Sequence, residues 1–231
     1  MIGSGTPRLL SRIPAVSTLE FVSVREVYLE SAAITTALLA EPAVAACWDA
    51  PSALVKMRVG GVAAHLAGQV SQVPPVLDAR AVDERVPLRE HFARSTWIDD
   101  GVDSEVNTYI RCAAEEAAAA GPRAVREEAA TALAELERRL PAEPPDRVIQ
   151  LPWGPWSLSL DDYLVTRLLE LTVHGDDLAA SIGVTTPEFP AACVDTVVGV
   201  LCRLAARRHG QAALIRALSR AERAPKTIAA L

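Results

Sequence analysis

The stretch GPWSLSLDDYLVTRLLELTVHGDDLAASIG, residues 154–183, changes its hydrophobic period part-way along. Before Asp161 the apolar residues alternate around a Gly-Pro turn. Together with RVIQLPW (147–153) this reads as a short β-hairpin or extended arm. From Asp161, a suitable helix cap, Leu164, Leu168, Leu171 and Leu178 recur at helical spacing until Gly183, a natural stop. The other side of that long helix is polar. Glu170 and His174 lie one turn apart on one face, and Tyr163, Arg167 and Asp177 continue the stripe.

Helices are expected on both sides of this element. Ser17 or Thr18 can cap a first one, with Val24, Val27, Tyr28, Ser31, Ile34, Thr35 and Leu38 on one face and Glu41-Pro42 ending or kinking it. Residues 47–54 form a turn-rich connector. A second helix covers about Val59 to Gln72, with Val59, Val62, Leu66 and Val70 on one face and Pro74-Pro75 as its stop. Residues 76–100 read as a loop with a short helical turn. Asp103 or Ser104 opens an alanine-rich helix to Gly121, and Pro122 opens another carrying Val125, Ala129, Leu133, Leu136 and Leu140. Two further helices are expected at 191–208 and 211–222. The chain therefore divides into a flexible arm (1–17), a mainly α helix bundle (18–185) and a C-terminal helical extension (186–231).

Composition narrows the functional classes. Half of the 231 residues are hydrophobic and aromatics make up only 4%, which suits closely packed helices. A formal charge of −6 argues against nucleic acid as the main partner. No apolar run is long enough for a membrane span, and the N-terminus lacks the pattern of a signal peptide. Cys47, Cys112, Cys193 and Cys202 have no close pairing and read as reduced, buried thiols of a cytoplasmic protein. An alanine-rich helix pair leaves both monomer and homodimer open.

Of the four histidines, His65 and His174 fall in the middle of expected helices. By itself an E-x-x-x-H pair is usually an intrahelical contact, and a lone helical histidine is usually a core residue. Combined, His65 from a facing helix would complete a His₂Glu set with Glu170 and His174. Three protein ligands leave a fourth position for water, thiolate or substrate, the arrangement of catalytic rather than structural sites. Zinc is the first expectation, with nickel, iron and manganese as alternatives. His91, in REHFARSTW (89–97), has no spaced partner and reads as a loop or surface residue, while Trp153 and Trp156 read as packing anchors of the hairpin.

The segments WDAPSALVKMRVGGVAAHLAG (48–68) and GPWSLSLDDYLVTRLLELTVHGDDLAASIG resemble the DinB-like superfamily, and within it the actinobacterial mycothiol-dependent maleylpyruvate isomerase branch. LCRLAARRHGQAALIRALSRAERAP (201–225) is similar to the tail of many members, whereas about 74–145 matches poorly. The resemblance implies a four-helix bundle holding one divalent metal ion through His65, Glu170 and His174. It also implies mycothiol as co-substrate, used to isomerise maleylpyruvate or transferred onto a small electrophile. The sequence departs from the family at Met57, where many members have an aromatic, at Gly61, where many have an acid, and at Asp176, where an aromatic is usual.

Such an ion would generate a thiolate near neutral pH. Addition of that thiolate to an activated alkene, with or without later elimination, covers both isomerisation and S-transfer. Arg220 and Arg223 read equally as a clamp for substrate or thiol and as a solvated basic terminus. Asp177 reads equally as the acceptor that orients His174 and as a solvated cap. Tyr163 and Arg167 are candidates for the pocket wall, although Arg167 could simply pair with Glu170. Two other classes stay open: a metal-dependent hydrolase with Asp176 or Asp177 as base, and a non-catalytic binding or stress-response module.

Overall fold

The computed structural model describes residues 23–80, 84–98 and 100–231. The expected arm and the caps Ser17 and Thr18 lie outside them. Helix α1 (Val24–Leu39) starts later than expected because Ser23 caps it. The Ser23 hydroxyl accepts from the Glu26 amide at 3.2 Å, and the Glu26 carboxylate accepts from the Ser23 amide at 3.0 Å. Pro42 then opens the short α2 (Pro42–Ala46).

Helix α3 (Val59–Ser71) is the centre of the fold and packs against α1, α6 (Glu105–Ala118), α7 (Gly121–Arg139) and α8 (Leu160–Ile182). Its small residues allow this. A Cβ added at Gly60 would lie 2.7 Å from Cε2 of Trp48, so glycine is what lets that indole close over the helix. Helices α1, α3, α7 and α8 form the bundle, and α6 runs along α3. Within Val59–Val70 only His65 is not buried, so an otherwise enclosed helix has one window.

Several boundaries differ from expectation. Pro74 and Pro75 do not end the helical path; they sit in the first turn of α4 (Val73–Asp78), where a missing N–H costs nothing. The expected loop 76–100 contains α5 (Leu88–Arg94) and a 3₁₀ turn, Thr96–Ile98. Seven residues are too few to show a period, and burial of His91 and Phe92 holds them in place. His91 is therefore a core residue and not a surface one. It accepts a hydrogen bond from Trp156 Nε1 at 3.3 Å, which ties α5 to the hairpin.

The hairpin is present as β1 (Val148–Gln150) and β2 (Ser157–Ser159), antiparallel with Ile149 opposite Leu158. Ile149 and Leu158 are both fully buried. Ser159, not Asp161, caps α8: its hydroxyl accepts from the Asp162 amide at 3.1 Å. Asp161 instead accepts from Arg25 Nε at 3.0 Å, and Arg25 also donates to the carbonyls of Leu140 and Pro144 beyond α7. Gly183 ends α8 with φ 72°, a left-handed conformation that favours glycine.

Helix α9 (Ala191–His209) packs on α8 and α1, and α10 (Gln211–Ser219) packs on α9. All four cysteines are free thiols. Cys193 is buried, but Cys112 is exposed on α6, contrary to the expectation that all four lie inside. Among the described residues no helix is long and apolar enough to cross a membrane.

Candidate metal centre

His65 reaches the site from the middle of α3, and Glu170 and His174 from adjacent turns of α8. Leu164, Leu168, Leu171 and Leu178 are all fully buried on the apolar side of α8, which fixes the rotation of that helix and turns the ligand stripe towards α3. Between Tyr163 and Leu171 only Glu170 is not buried, just as only His65 is not buried on α3. The two windows coincide.

The Glu170 carboxylate is the hub. Its Oε2 lies 3.1 Å from His65 Nε2 and 3.3 Å from His174 Nε2. The two imidazole rings meet edge to face, with centroids 4.8 Å apart. One ligand atom from each of the three residues lies within 4.8 Å of the others. Their side chains retain 16–23% of their exposure, so the cluster is partly open to solvent.

His174 Nδ1 lies 2.9 Å from Asp177 Oδ2. A carboxylate only accepts, so Nδ1 carries a proton and Nε2 is the nitrogen that faces Glu170. Burial alone would lower the His174 pKa, but hydrogen bonds to Asp177 and Glu170 outweigh it and raise the value to about 9. Burial likewise pushes Glu170 up, and the bonds from His174 and His65 reverse this and hold it well below the usual carboxylate range. Without a metal ion, the cluster thus keeps an ionised carboxylate between two imidazoles and a proton on His174.

The donor set fits a divalent ion. Two imidazole nitrogens and one carboxylate oxygen converge, the second nitrogen of His174 is held by a carboxylate, and no fourth protein ligand closes the set among the described residues. Imidazole with carboxylate suits zinc, nickel, iron or manganese.

A family model described as the mycothiol maleylpyruvate isomerase N-terminal domain matches residues 28–179, well over half of the chain. The chain belongs to this family. The match begins in α1, spans the segment between 74 and 145 where the sequence resemblance is weakest, and ends in α8, so it contains all three clustered residues. The mainly α bundle with a small two-stranded sheet is the DinB-like fold of that assignment. The family links the protein to mycothiol-related isomerase or transferase activity. No curated protein and no solved structure matches the chain.

The family departures acquire physical meaning here. At Gly61 a Cβ would lie 2.6 Å from Glu115 Oε1, so a carboxylate still stands at this place but comes from α6. Glu115 is itself held by the Arg58 amide at 2.7 Å and by Arg58 Nε at 2.9 Å. Met57 is buried against Gly61. Asp176 points outward and accepts from the Thr186 hydroxyl, while the Phe189 ring covers Gly175. Neither Asp176, exposed and bonded to Thr186, nor Asp177, bonded to His174, is a free base beside the cluster.

The other expected site residues divide. Tyr163 and Arg167 are buried on α8, and the Arg167 guanidinium lies over the rings of Tyr163 and Trp153. Arg167 does not pair with Glu170; it donates to Gln69 on α3 and to the Thr166 hydroxyl. Arg220 and Arg223 are exposed beyond α10, and their partners are Ser219 and Glu222 in the same segment. Sequence reading missed Gln69, which is buried one turn after His65 on the same face and contacts it. Its four-residue spacing from His65 puts it on the ligand face of α3, but its bond to Arg167 on α8 has no signal in the sequence.

Proposed function

We propose that the protein is a metal-dependent thiol S-transferase or thiol-dependent isomerase, with mycothiol as the thiol and a small electrophile as its partner. The observation that carries this reading is the convergence of His65, Glu170 and His174 at the shared windows of α3 and α8. Family membership supports mycothiol as the co-substrate. A divalent ion bound there, zinc being our first choice, supplies Lewis acidity that keeps a thiol ionised near neutral pH.

The protein's own groups prepare for this. Asp177 fixes the His174 ring so that Nε2 faces inward. Glu170 stays ionised, and its single negative charge leaves a site that favours an anionic sulfur as a further ligand. The packing of α3 on α8 lets ligands from both helices meet. In this reading Asp177 is a positioning residue, and Tyr163 and Arg167 form the floor beside the ligands. Arg220 and Arg223 would bind substrate only if the segment after α10 approaches the cluster when substrate is bound.

The test incubates zinc-reconstituted protein with mycothiol and an activated alkene and follows thiol consumption and product. Thiol-dependent turnover that is lost in Glu170→Gln is expected. Ester or amide hydrolysis without added thiol would indicate the hydrolase instead. Mycothiol binding without turnover of any electrophile would indicate a binding module.

A further inference from the structure

Gln69 is 4% exposed and sits between the candidate metal centre and Arg167, the most enclosed arginine or lysine among the described residues. Arg167 donates to its side-chain oxygen Oε1. A guanidinium has no acceptor, so the amide orientation is forced: Oε1 faces Arg167 and Nε2 faces His65. One hydrogen of Nε2 goes to the His65 carbonyl at 2.9 Å. The other is directed at His65 Nε2, 3.3 Å away. That nitrogen already faces Glu170 Oε2 at 3.1 Å, and as a metal ligand it has no lone pair to spare. The second amide hydrogen is therefore left for whatever occupies the position beside His65.

The surroundings hold this donor in place. Tyr28, fully buried, donates its hydroxyl to the Gln69 backbone carbonyl at 2.9 Å. That carbonyl lies in the last turn of α3, where intrahelical donors run out, so the bond also helps to satisfy the helix end. Arg167 is fixed by the Thr166 hydroxyl at 3.1 Å and by the rings of Trp153 and Tyr163. Among the described residues no carboxylate pairs with Arg167, so its charge is not neutralised locally. A fixed donor, polarised by an uncompensated cation, suits an anion.

We infer that Gln69 is a ligand-binding residue of this site, its amide donating a hydrogen bond to an anionic sulfur or oxygen beside His65, and that Arg167 is the positioning residue that orients it. The inference rests on the metal-site reading of the previous subsection. It gives the anionic ligand a fixed hydrogen-bond donor that the three metal ligands alone do not supply.

The test uses full-length protein reconstituted with cobalt(II), titrated with azide as a small anionic probe and followed through the visible bands of the metal. Gln69→Met is expected to keep its cobalt content and its starting spectrum but to bind azide about tenfold more weakly, the loss of one hydrogen bond to a charged group. Arg167→Met should weaken azide binding too, because the amide is then free to turn. The double variant Gln69→Met/Arg167→Met should be no weaker than Gln69→Met alone, since Arg167 acts through Gln69. It also replaces both partners by apolar groups, which covers the case in which Gln69→Met fails to fold. Unchanged azide affinity in the variants overturns the role of Gln69, and additive losses overturn the relay through Arg167. Failure of the parent protein to bind cobalt at all overturns the metal site itself, and the inference with it.

Discussion

Buried His91 makes a prediction whose size follows from its surroundings. Burial, aided by the positive charge of Arg167, lowers its pKa to about 4. Protonation would also turn Nδ1 from acceptor to donor against the Trp156 N–H. In the unfolded chain the same group titrates near 6.5. As pH falls below that value the unfolded state takes up a proton that the folded state refuses, so stability drops until about pH 4 and then levels off. Between about pH 7.5 and 5 the loss from this one group is about 2 kcal/mol, and across the whole window about 3 kcal/mol. Urea unfolding of the EDTA-treated protein at these two pH values, compared with His91→Gln, isolates the effect. Glutamine can still accept from Trp156 but does not titrate, so every other group cancels. The variant should show a pH dependence smaller by about 2 kcal/mol. An equal dependence in both proteins would refute the account of His91 as a neutral support of the hairpin.

Metal binding at about pH 7.5 should release close to one proton per ion, because His174 is held protonated up to about 9 and must lose that proton to coordinate. Zinc calorimetry in buffers of different ionisation enthalpy measures it, and the release should vanish above about pH 9. By the same linkage, the metal-free protein has the full benefit of the His174 proton below about pH 6.5 and loses it as pH rises through about 9, which urea midpoints would register. Gly60→Ala should cost about 1–3 kcal/mol, since the new methyl meets the Trp48 ring; an unchanged unfolding midpoint would show that the indole moves aside freely.

The clustering of His65, Glu170 and His174 was legible because a helix makes spacing into geometry. Glu170 and His174 had to share a face, and the leucine stripe of α8 left only one direction for that face to point. The hairpin was equally legible from its alternation around Gly154-Pro155. Other features were not, and each for a local reason. Ser159 rather than Asp161 caps α8 because Arg25, remote in sequence, claims Asp161. The segment containing His91 is too short to carry a period, and its burial depends on Trp156 of the hairpin. Arg167 looked free to pair with Glu170 along the helix, but a partner on α3 takes it. That cross-helix bond is also why Gln69 escaped notice: only the approach of α3 to α8 gives its amide a direction. Long-range pairings of this kind have no signature within a window of one helix.

One divalent ion is expected among His65, Glu170 and His174. Elemental analysis of protein incubated with zinc and then freed of unbound metal tests it most directly. Close to one zinc per chain is expected, falling to near zero in Glu170→Gln, which keeps the shape of the hub but removes its charge. Zinc retained in full by Glu170→Gln, or none retained by the parent protein, would contradict it.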